Sequence, residues 1–532
     1  MSLQWQLARQ MPTDTADIGR AVLRSENVFR QIGDRFDELF PNEDEFAELY
    51  EPTGRGAISP LLLALVTVFQ MLEKVPDRLA AEYVVSRIDW KYALHLPIGY
   101  TGFHFCDLSA FRQRLLEHKQ ERLVFEQFLD RLKALGLIKP RGKMRTDSTH
   151  VLAVVERLSQ LELVTESIRV ALRAVRDLDP EWVERQLPAT FSEVYSVQRS
   201  EFGLSREAVQ SRLAAAGRDG FWFLAEVDRS ASPAVQALME VGVLRRVLAE
   251  QFPDGPTGPA ATKRPTGDVI ESPHETAARR GFKRGKGWTG YKMQVTESCD
   301  KDQPHLIVDI EPTGALATDG PELPGVQARL KAEGLVPSEQ YVDQGYVSGK
   351  RMAESADRGI DLVGVPLGDT AAPEGFRQAD FQIDEAARQV TCPEGQVSGL
   401  WSERSSEEGE PARVTVRFDG QTCRKCPAFG RCTSSCQGRS LELHPYREVL
   451  EARRREAETE EYRKKTHLRA GIEGTISELV RAHGLRTARY RGLVKLRLQG
   501  LFTAIAANLK RLTRWWTRPE RAAMTSIGAH AC

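Results

Sequence analysis

The sequence has no excess of charge of either sign. Lys and Arg together number 74, and so do Asp and Glu, so the formal net charge is zero. A protein whose whole surface binds nucleic acid carries a net positive charge, because its attraction to phosphates is electrostatic. The composition therefore argues against a uniformly basic nucleic-acid-binding protein, although it leaves room for a local basic face.

Long apolar runs are also lacking. The longest, from Leu61 to Leu72, is too short to span a bilayer and contains Thr67 and Gln70. The first residues, Met1 to Gln6, lack the basic region and the apolar core of a signal peptide. These absences predict a cytoplasmic protein.

Cysteine is scarce and unevenly distributed, since four of the eight cysteines fall between Cys423 and Cys436. Cys423 and Cys426 form a C-x2-C pair, the usual way to supply two thiolate ligands to Zn²⁺. In a cytosolic chain such a cluster indicates a metal more than disulfides. We predict a structural zinc site with Cys432 as third ligand and either Cys392 or Cys436 as fourth. The alternative is a set of reduced cysteines that pack a small β insertion without metal.

Three carboxylates lie in local contexts that suit metal ligands. Asp147 and Asp343 each lie in a short extended run, and Glu473 lies in a helical stretch. Two strand-borne aspartates and a helix-borne glutamate can hold two Mg²⁺ ions about 3.5–4 Å apart, which is an arrangement for phosphoryl transfer. Mg²⁺ takes its other ligands from water and substrate phosphates, so three carboxylates suffice. A lone aspartate at a strand end is usually a cap. The prediction of a metal site therefore depends on the three carboxylates taken together.

The spacing of apolar residues predicts the order of strands and helices around these carboxylates. After the Asp147 strand and a helical block, we predict strands over 291–296 and 305–310, a helix over 323–333, the Asp343 strand, a helix over 350–358 and a strand over 362–365. Pro312 is expected to lie beyond the second of these strands. The helix of Glu473 comes last. This is the order of an RNase H-like core, in which the aspartates lie on neighbouring central strands.

The fold class is therefore α/β, with an RNase H-like catalytic core, an α-helical N-terminal domain, a helical insertion and a small Cys-rich β insertion. A chain of 532 residues has room for several such units. Ser59 and Pro60 predict the start of a helix within the N-terminal domain. We predict an N-terminal domain over 1–140, a first catalytic strand over 141–154, a helical insertion and linker over 155–285, the core over 286–368, the Cys-rich insertion over 369–445, the glutamate helix and basic C-terminal helices over 446–516, and a disordered tail over 517–532.

Several short motifs carry a resemblance to a known family. They are Asp89-Trp90-Lys91-Tyr92-Ala93-Leu94, Leu108-Ser109-Ala110-Phe111-Arg112, Thr146-Asp147-Ser148-Thr149, Trp288-Thr289-Gly290-Tyr291-Lys292, Val342-Asp343-Gln344-Gly345-Tyr346, Gly471-Ile472-Glu473-Gly474-Thr475 and Arg489-Tyr490-Arg491-Gly492-Leu493. Each is weak alone, but in this order and spacing they resemble a DDE transposase of a bacterial insertion sequence, close to the group numbered eleven-eighty-two.

The resemblance implies metal-dependent cleavage of DNA at the element ends and strand transfer into target DNA. It implies that Asp147, Asp343 and Glu473 are catalytic and bind two Mg²⁺ ions, for which Mn²⁺ can substitute. The implied partners are double-stranded DNA, as terminal inverted repeats and as target, and a second copy of the chain when bound to DNA. The protein would then be associated with the nucleoid. The N-terminal domain would read the terminal repeats, or alternatively serve as a helical scaffold docked on the catalytic domain.

The glutamate helix has one rival carboxylate and one departure from the family pattern. Arg469 lies four residues before Glu473, so both share a helix face. Related transposases have a tyrosine three residues before that arginine, whereas this chain has Thr466. Glu478 is the rival, but five residues further along a helix it points elsewhere.

A basic run follows the glutamate. We predict that its cations neutralise DNA phosphates beside the active site, which supplies affinity rather than sequence choice. The candidates are Arg481, Arg486, Arg489, Arg491 and Lys495. The alternative is a solvated helix face with no partner.

Two other functional classes stay open at this point. One is a catalytically inactive DNA-binding protein derived from a transposase, which need not keep all three carboxylates. The other is an RNase H-fold nuclease that cleaves without strand transfer. The long helical N-terminal region favours a transposase that recognises specific ends.

Overall fold

The computed structural model describes residues 2–3, 7–155, 157–197, 202–283, 285–368, 373–404 and 412–517. The tail that we predicted to be disordered lies, from residue 518 onward, outside the described residues. None of the helices in these ranges combines the length and the hydrophobicity of a membrane span.

The first part of the chain is helical. Ser59 caps the longest of its helices, because its hydroxyl accepts from the N–H of Leu62 at 3.0 Å, and Pro60 occupies the first turn. The predicted helix start at this point is confirmed. The helices are α1 (Thr13–Val22), α2 (Val28–Asp34), α3 (Phe36–Leu39), α4 (Pro60–Glu73), α5 (Asp77–Ser86), α6 (Ile88–Ala93), α7 (Cys106–Glu117) and α8 (Leu123–Ala134), with a 3₁₀ turn over Glu43–Leu49.

A six-stranded sheet follows. Its strands are β1 (Lys143–Leu152), β2 (Arg279–Lys283), β3 (Lys286–Ser298), β4 (Ile307–Gly314), β5 (Glu339–Tyr341) and β6 (Asp361–Val363). The long strand β3 pairs antiparallel with β1 on one side and with β2 and β4 on the other. On its far side β1 pairs parallel with β5, and β5 pairs parallel with β6. Strand β1 is therefore central, where antiparallel pairing changes to parallel pairing.

Strand β4 extends further than the sequence predicted. Pro312 lies inside the strand, opposite Met293 of β3, although we expected it to lie beyond the strand end. Among the described residues, β4 pairs only with β3. A proline is tolerated there because β4 lies at the edge of the sheet, where half of the backbone N–H groups have no partner strand.

A block of helices interrupts the sheet between β1 and β2. Its helices are α9 (Gln160–Leu178), α10 (Pro180–Gln186), α11 (Ala189–Val194), α12 (Arg206–Ser230), α13 (Pro233–Gln236) and α14 (Met239–Gln251). The apolar stripe of α9, including Ile168, Leu172 and Val175, is buried in a core that this block forms for itself. The stripe therefore packs the core of the insertion.

Two helices pack beside the sheet: α15 (Asp319–Ala332) lies against β4 and the 3₁₀ turn that follows Asp343, and α16 (Gly349–Asp357) lies against β6. The first begins four residues earlier than predicted, so Asp319 belongs to its first turn. This shift brings a fourth carboxylate to the edge of the sheet that carries Asp343.

A small β unit follows β6. The strands β7 (Gln382–Asp384) and β8 (Gln389–Thr391) form a hairpin, and β9 (Leu400–Arg404), β10 (Arg413–Arg417) and β11 (Ser440–Leu443) form an antiparallel sheet. A short helix, α17 (Gly420–Lys425), lies between β10 and β11. The hydrophobic core of this unit contains few buried side chains: Phe381, Val390, Val416, Phe418, Leu441 and Leu443.

The chain then returns to the main sheet through four helices. They are α18 (Arg447–Ala457), α19 (Glu460–Thr466), α20 (Gly471–Arg481) and α21 (Leu493–Trp516), with a 3₁₀ turn over His467–Ala470 before α20. The last helix packs against both β4 and α4. As a result, the N-terminal helices, the sheet and α21 share one hydrophobic core. This packing is the arrangement that the scaffold alternative for the N-terminal region expects.

Candidate active site

Asp147 and Asp343 lie on adjacent parallel strands. Arg145 of β1 pairs with Tyr341 of β5, and each aspartate follows its member of that pair by two residues. Residues two apart on a strand point to the same face, so the two carboxylates are side by side. Asp343 lies just past the end of β5, where its carboxylate accepts from the N–H of Gly345 at 2.7 Å and caps a 3₁₀ turn.

One guanidinium group joins the two aspartates to Glu473. The Nη2 atom of Arg469 lies 2.8 Å from Oδ2 of Asp147 and 3.9 Å from Oδ2 of Asp343. Its Nη1 atom lies 3.1 Å from Oε1 of Glu473, one helical turn further along. The structure therefore brings the three sequence-predicted carboxylates together around a single cation.

The three carboxylates differ strongly in exposure. The side chain of Asp147 is 12% exposed, that of Asp343 39% and that of Glu473 66%. Burial raises the pKa of Asp147, and the neighbouring charge of Asp343 raises it further, whereas Arg469 and Lys283 lower it. The site is closed around Asp147 and open to solvent at Glu473, so a ligand would approach from the glutamate side.

The Nε atom of Arg469 is an unsatisfied donor. It is buried and has no hydrogen-bond partner within the described residues. Leaving a buried donor on a charged group without an acceptor costs free energy. Arg469 thus retains one unused hydrogen-bond donor.

Asp319 is a fourth carboxylate that sequence reasoning missed. Its Oδ1 atom accepts from the hydroxyl of Ser148 at 2.8 Å and lies 3.4 Å from Nε2 of Gln294. Lys292 approaches the same carboxylate at 3.8 Å. Ser148 follows Asp147 directly in the chain, so Asp319 fixes the strand beside that aspartate. The one sequence signal for Asp319 is its position in the first turn of a helix. Acidic residues are common at that position, so the signal does not single out a site residue.

Glu478 faces away from the aspartates. Its carboxylate accepts from Nε of Arg511 at 2.9 Å, and Arg514 lies 3.6 Å from it. Both arginines belong to α21. Glu473, rather than Glu478, is the glutamate that shares Arg469 with Asp147 and Asp343.

His150 and Trp288 form a structural pair near the site. Their rings lie 5.1 Å apart, and Trp288 is buried. Burial lowers the pKa of His150 to about 4, with further lowering from Arg486 and Lys283. His150 is therefore neutral at physiological pH, in keeping with a packing role for both residues.

The basic run after Glu473 separates into two sets. Arg486 donates to the carbonyl oxygen of His150, and Arg489 donates to the carbonyl oxygen of Val75 at 2.6 Å. These two guanidinium groups therefore connect parts of the fold. The exposed cations are Arg481, Arg491 and Lys495, none of which forms an ion pair with any described residue.

A second basic feature is the hairpin formed by β2 and β3, which sequence reasoning did not single out. The paired strands of the hairpin extend past Leu152, the last residue of β1, at the same end of the sheet as Asp343. Lys283 and Lys286 are exposed on it, and Phe282 is 59% exposed. The hairpin thus carries positive charge and an aromatic ring, and the charge of Lys283 lowers the pKa of Asp147.

Four cysteines line one cavity in the small β unit. They are Cys392, Cys423, Cys426 and Cys432, whereas Cys436 is exposed and does not line it. Burial raises the pKa of Cys432, and the neighbouring thiols of the other three raise it further. The structure thus groups Cys392, and not Cys436, with the other three cysteines.

Neither the three carboxylates around Arg469 nor the four cysteines of the cavity are arranged to enclose a metal ion. In the described ranges, no three His, Cys, Asp or Glu side chains have an arrangement that could hold a metal ion. At the carboxylates, the guanidinium of Arg469 contacts both Asp147 and Glu473. The oxygen donors themselves are of the type that Mg²⁺ prefers, so the donor set fits the ion once the arginine has moved aside.

Two protein-family models match parts of the chain. Residues 20–114 match a transposase domain named DUF772, and residues 391–513 match a transposase DDE domain. Searches of curated proteins and of solved structures found no match. The second matched region contains Arg469 and Glu473, and the first contains most of the N-terminal helices. Together the matches support a DDE transposase, a protein of mobile elements.

Proposed function

We propose that this protein cleaves DNA at the ends of an insertion sequence and joins the freed ends to target DNA, with Asp147, Asp343 and Glu473 as metal ligands. The observation that carries the proposal is the meeting of these three carboxylates at Arg469. They come from a central strand, the end of its parallel neighbour and a late helix. The three residues are far apart in the sequence, so it is the fold that brings them to the same arginine.

The sheet supports an RNase H-like core. Its strands follow the order β4, β3, β1, β5 and β6, with antiparallel pairing up to β1 and parallel pairing beyond it. That core type carries its aspartates on two adjacent central strands and its glutamate on the final helix of the unit. The insertion-sequence group indicated by the sequence motifs remains part of this proposal.

Asp147, Asp343 and Glu473 would hold the divalent ions, with Asp147 fixed by burial and Glu473 free to adjust. When bound, two Mg²⁺ ions activate the attacking oxygen and stabilise the leaving oxygen in phosphoryl transfer. Arg469 keeps the mutually repelling carboxylates together before DNA arrives. Its unsatisfied Nε then favours a move toward a DNA phosphate, because a phosphate satisfies guanidinium donors well.

The DNA path is proposed to run along the exposed cations on both sides of the site. Lys283 and Lys286 lie on the hairpin, Arg481 ends the glutamate helix, and Arg491 and Lys495 follow that helix. Each would neutralise a phosphate and so add affinity without sequence choice. Because an element has two ends, we propose that two copies of the chain act together on the DNA.

The test uses the full chain, DNA carrying the inverted repeats that flank its reading frame, and a separate target DNA. With Mg²⁺ we expect nicked ends and joined products. Asp147→Asn and Asp343→Asn should lose both products and still shift the DNA in a gel. Glu478→Gln is the matched control, and it should retain cleavage because its carboxylate contacts α21 instead.

Each other result identifies a different function. Cleavage without joined products would support the nuclease alternative. Binding without cleavage by the unaltered chain would support the DNA-binding descendant. Cleavage by Asp343→Asn at the unaltered rate would show that the carboxylate assignment is wrong.

A further inference from the structure

The cysteine cavity is formed by three separate pieces of the small β unit. Cys392 follows strand β8, Cys423 lies in α17, Cys426 caps the end of α17, and Cys432 lies in the turn beyond. The cavity has a volume of about 90 Å³. Four thiols from non-adjacent segments therefore face one small space.

The backbone around the first thiol is already shaped for a thiolate. The N–H of Gln396 donates to Sγ of Cys392 at 3.3 Å, and the N–H of Gly395 donates to the carbonyl of Cys392 at 2.9 Å. A turn that points an N–H at the sulfur stabilises negative charge on it, since a charged acceptor strengthens a hydrogen bond. On the other wall, the N–H of Cys426 donates to the carbonyl of Cys423 at 3.1 Å and closes a tight turn.

The unit also has little else to stabilise it. Six buried apolar side chains form its main core, and its strands are three to five residues long. Units of this size bury too little apolar surface, and they commonly depend on a metal or on disulfides. The described cysteines form no disulfide.

We infer that Cys392, Cys423, Cys426 and Cys432 bind one structural Zn²⁺, which connects the β7–β8 hairpin to α17 and the turn after it. Four thiolates provide the tetrahedral donor set of closed zinc sites, and a C-x2-C pair provides two of them. The sulfurs must draw inward to reach the ion, because in the described ranges no such group yet encloses a metal position. Cys436 is excluded from the ligand set because it is exposed and does not line the cavity.

The experiment measures zinc in the full chain purified without chelator, by atomic emission. We expect about one zinc per chain, as four thiolates bind one ion. Cys392→Ser and Cys426→Ser should lose the zinc, whereas Cys436→Ser and Cys106→Ser, which alter exposed cysteines, should retain it. Retention by Cys392→Ser together with loss by Cys436→Ser would overturn the ligand set.

A second measurement covers the case in which the serine variants do not fold. The unaltered protein is titrated with a mercurial reagent while a colorimetric indicator follows released zinc. We expect release to accompany the modification of four thiols. A protein without zinc whose four thiols are free, or in which Cys423 and Cys426 form a disulfide, would overturn the inference. Neither readout depends on DNA cleavage, so this inference and the proposed function can fail separately.

Discussion

Arg469 lies 2.8 Å from Asp147, although the two residues are 322 positions apart in the chain. The same guanidinium group lies 3.1 Å from Glu473. A strand-borne acid and a helix-borne acid therefore share one positive charge. Because like charges repel strongly where the carboxylates are partly buried, this cation holds the site together when no other cation is present.

Arg469→Gln should make the stability of the protein depend on divalent metal. Without metal we expect stability to fall by about 1 kcal/mol, because the pairs are partly exposed and solvent screens them. Addition of Mg²⁺ should recover much of that stability, since the ion supplies the missing positive charge. Melting temperatures with and without Mg²⁺ measure the effect. Arg463→Gln, an exposed arginine on α19, is the control and should show no such dependence.

If Mg²⁺ raises the melting temperature of Arg469→Gln by no more than that of the unaltered chain, Arg469 does not hold the carboxylates together. The arginine would then be an incidental neighbour of the acids. Its hydrogen bond to Asp147 would have to be explained by packing of the turn before α20 alone.

The two sets of cations after Glu473 should behave differently when they are removed. The triple variant Arg481→Ala, Arg491→Ala and Lys495→Ala should bind DNA more weakly and lower the salt dependence by about one unit for each phosphate that is no longer neutralised. Arg489→Ala should instead lower stability, because its guanidinium donates to the carbonyl of Val75 and connects the end of α4 to the later loop.

Gel-shift titrations at several salt concentrations and thermal melts separate these outcomes. The double variant Lys283→Ala and Lys286→Ala tests the hairpin in the same way. We expect the salt dependence of its DNA affinity to decrease by about two units. Arg173→Ala, which breaks an ion pair with Asp177 in the helical insertion, is the control. Unchanged slopes in both multiple variants would mean that these cations are solvated faces and that DNA binds the chain elsewhere.

Local signals in the sequence predicted local structure well. Ser59 and Pro60 predicted the start of α4 because capping and the first-turn proline act within one helical turn. The mixed α/β class followed from periodicity in the same way, and the structure supports it. Edge position was not predictable, so Pro312 was expected outside a strand that in fact includes it.

Long-range partners account for what the sequence did not reveal. Arg486 and Arg489 were predicted to neutralise DNA phosphates, because a run of basic residues does not show that the guanidinium groups donate to backbone carbonyls within the fold. Asp319 was missed because only folding brings it to Ser148, 171 positions earlier. The three carboxylates could be singled out in the sequence because each lies in a short motif, whereas their shared contact with Arg469 depends on the sheet.

His150 should make the protein sensitive to mild acid. Its pKa is lowered from 6.5 to about 4 in the folded chain, chiefly by burial. The unfolded chain therefore binds a proton between these values when the folded chain does not, so stability falls as the pH drops from 6.5 toward 4. His150→Gln removes this group, and its melting temperature should fall less over that range than that of the unaltered protein. Exposed His118→Gln should follow the unaltered protein, and parallel curves for all three would show that His150 does not govern the acid response.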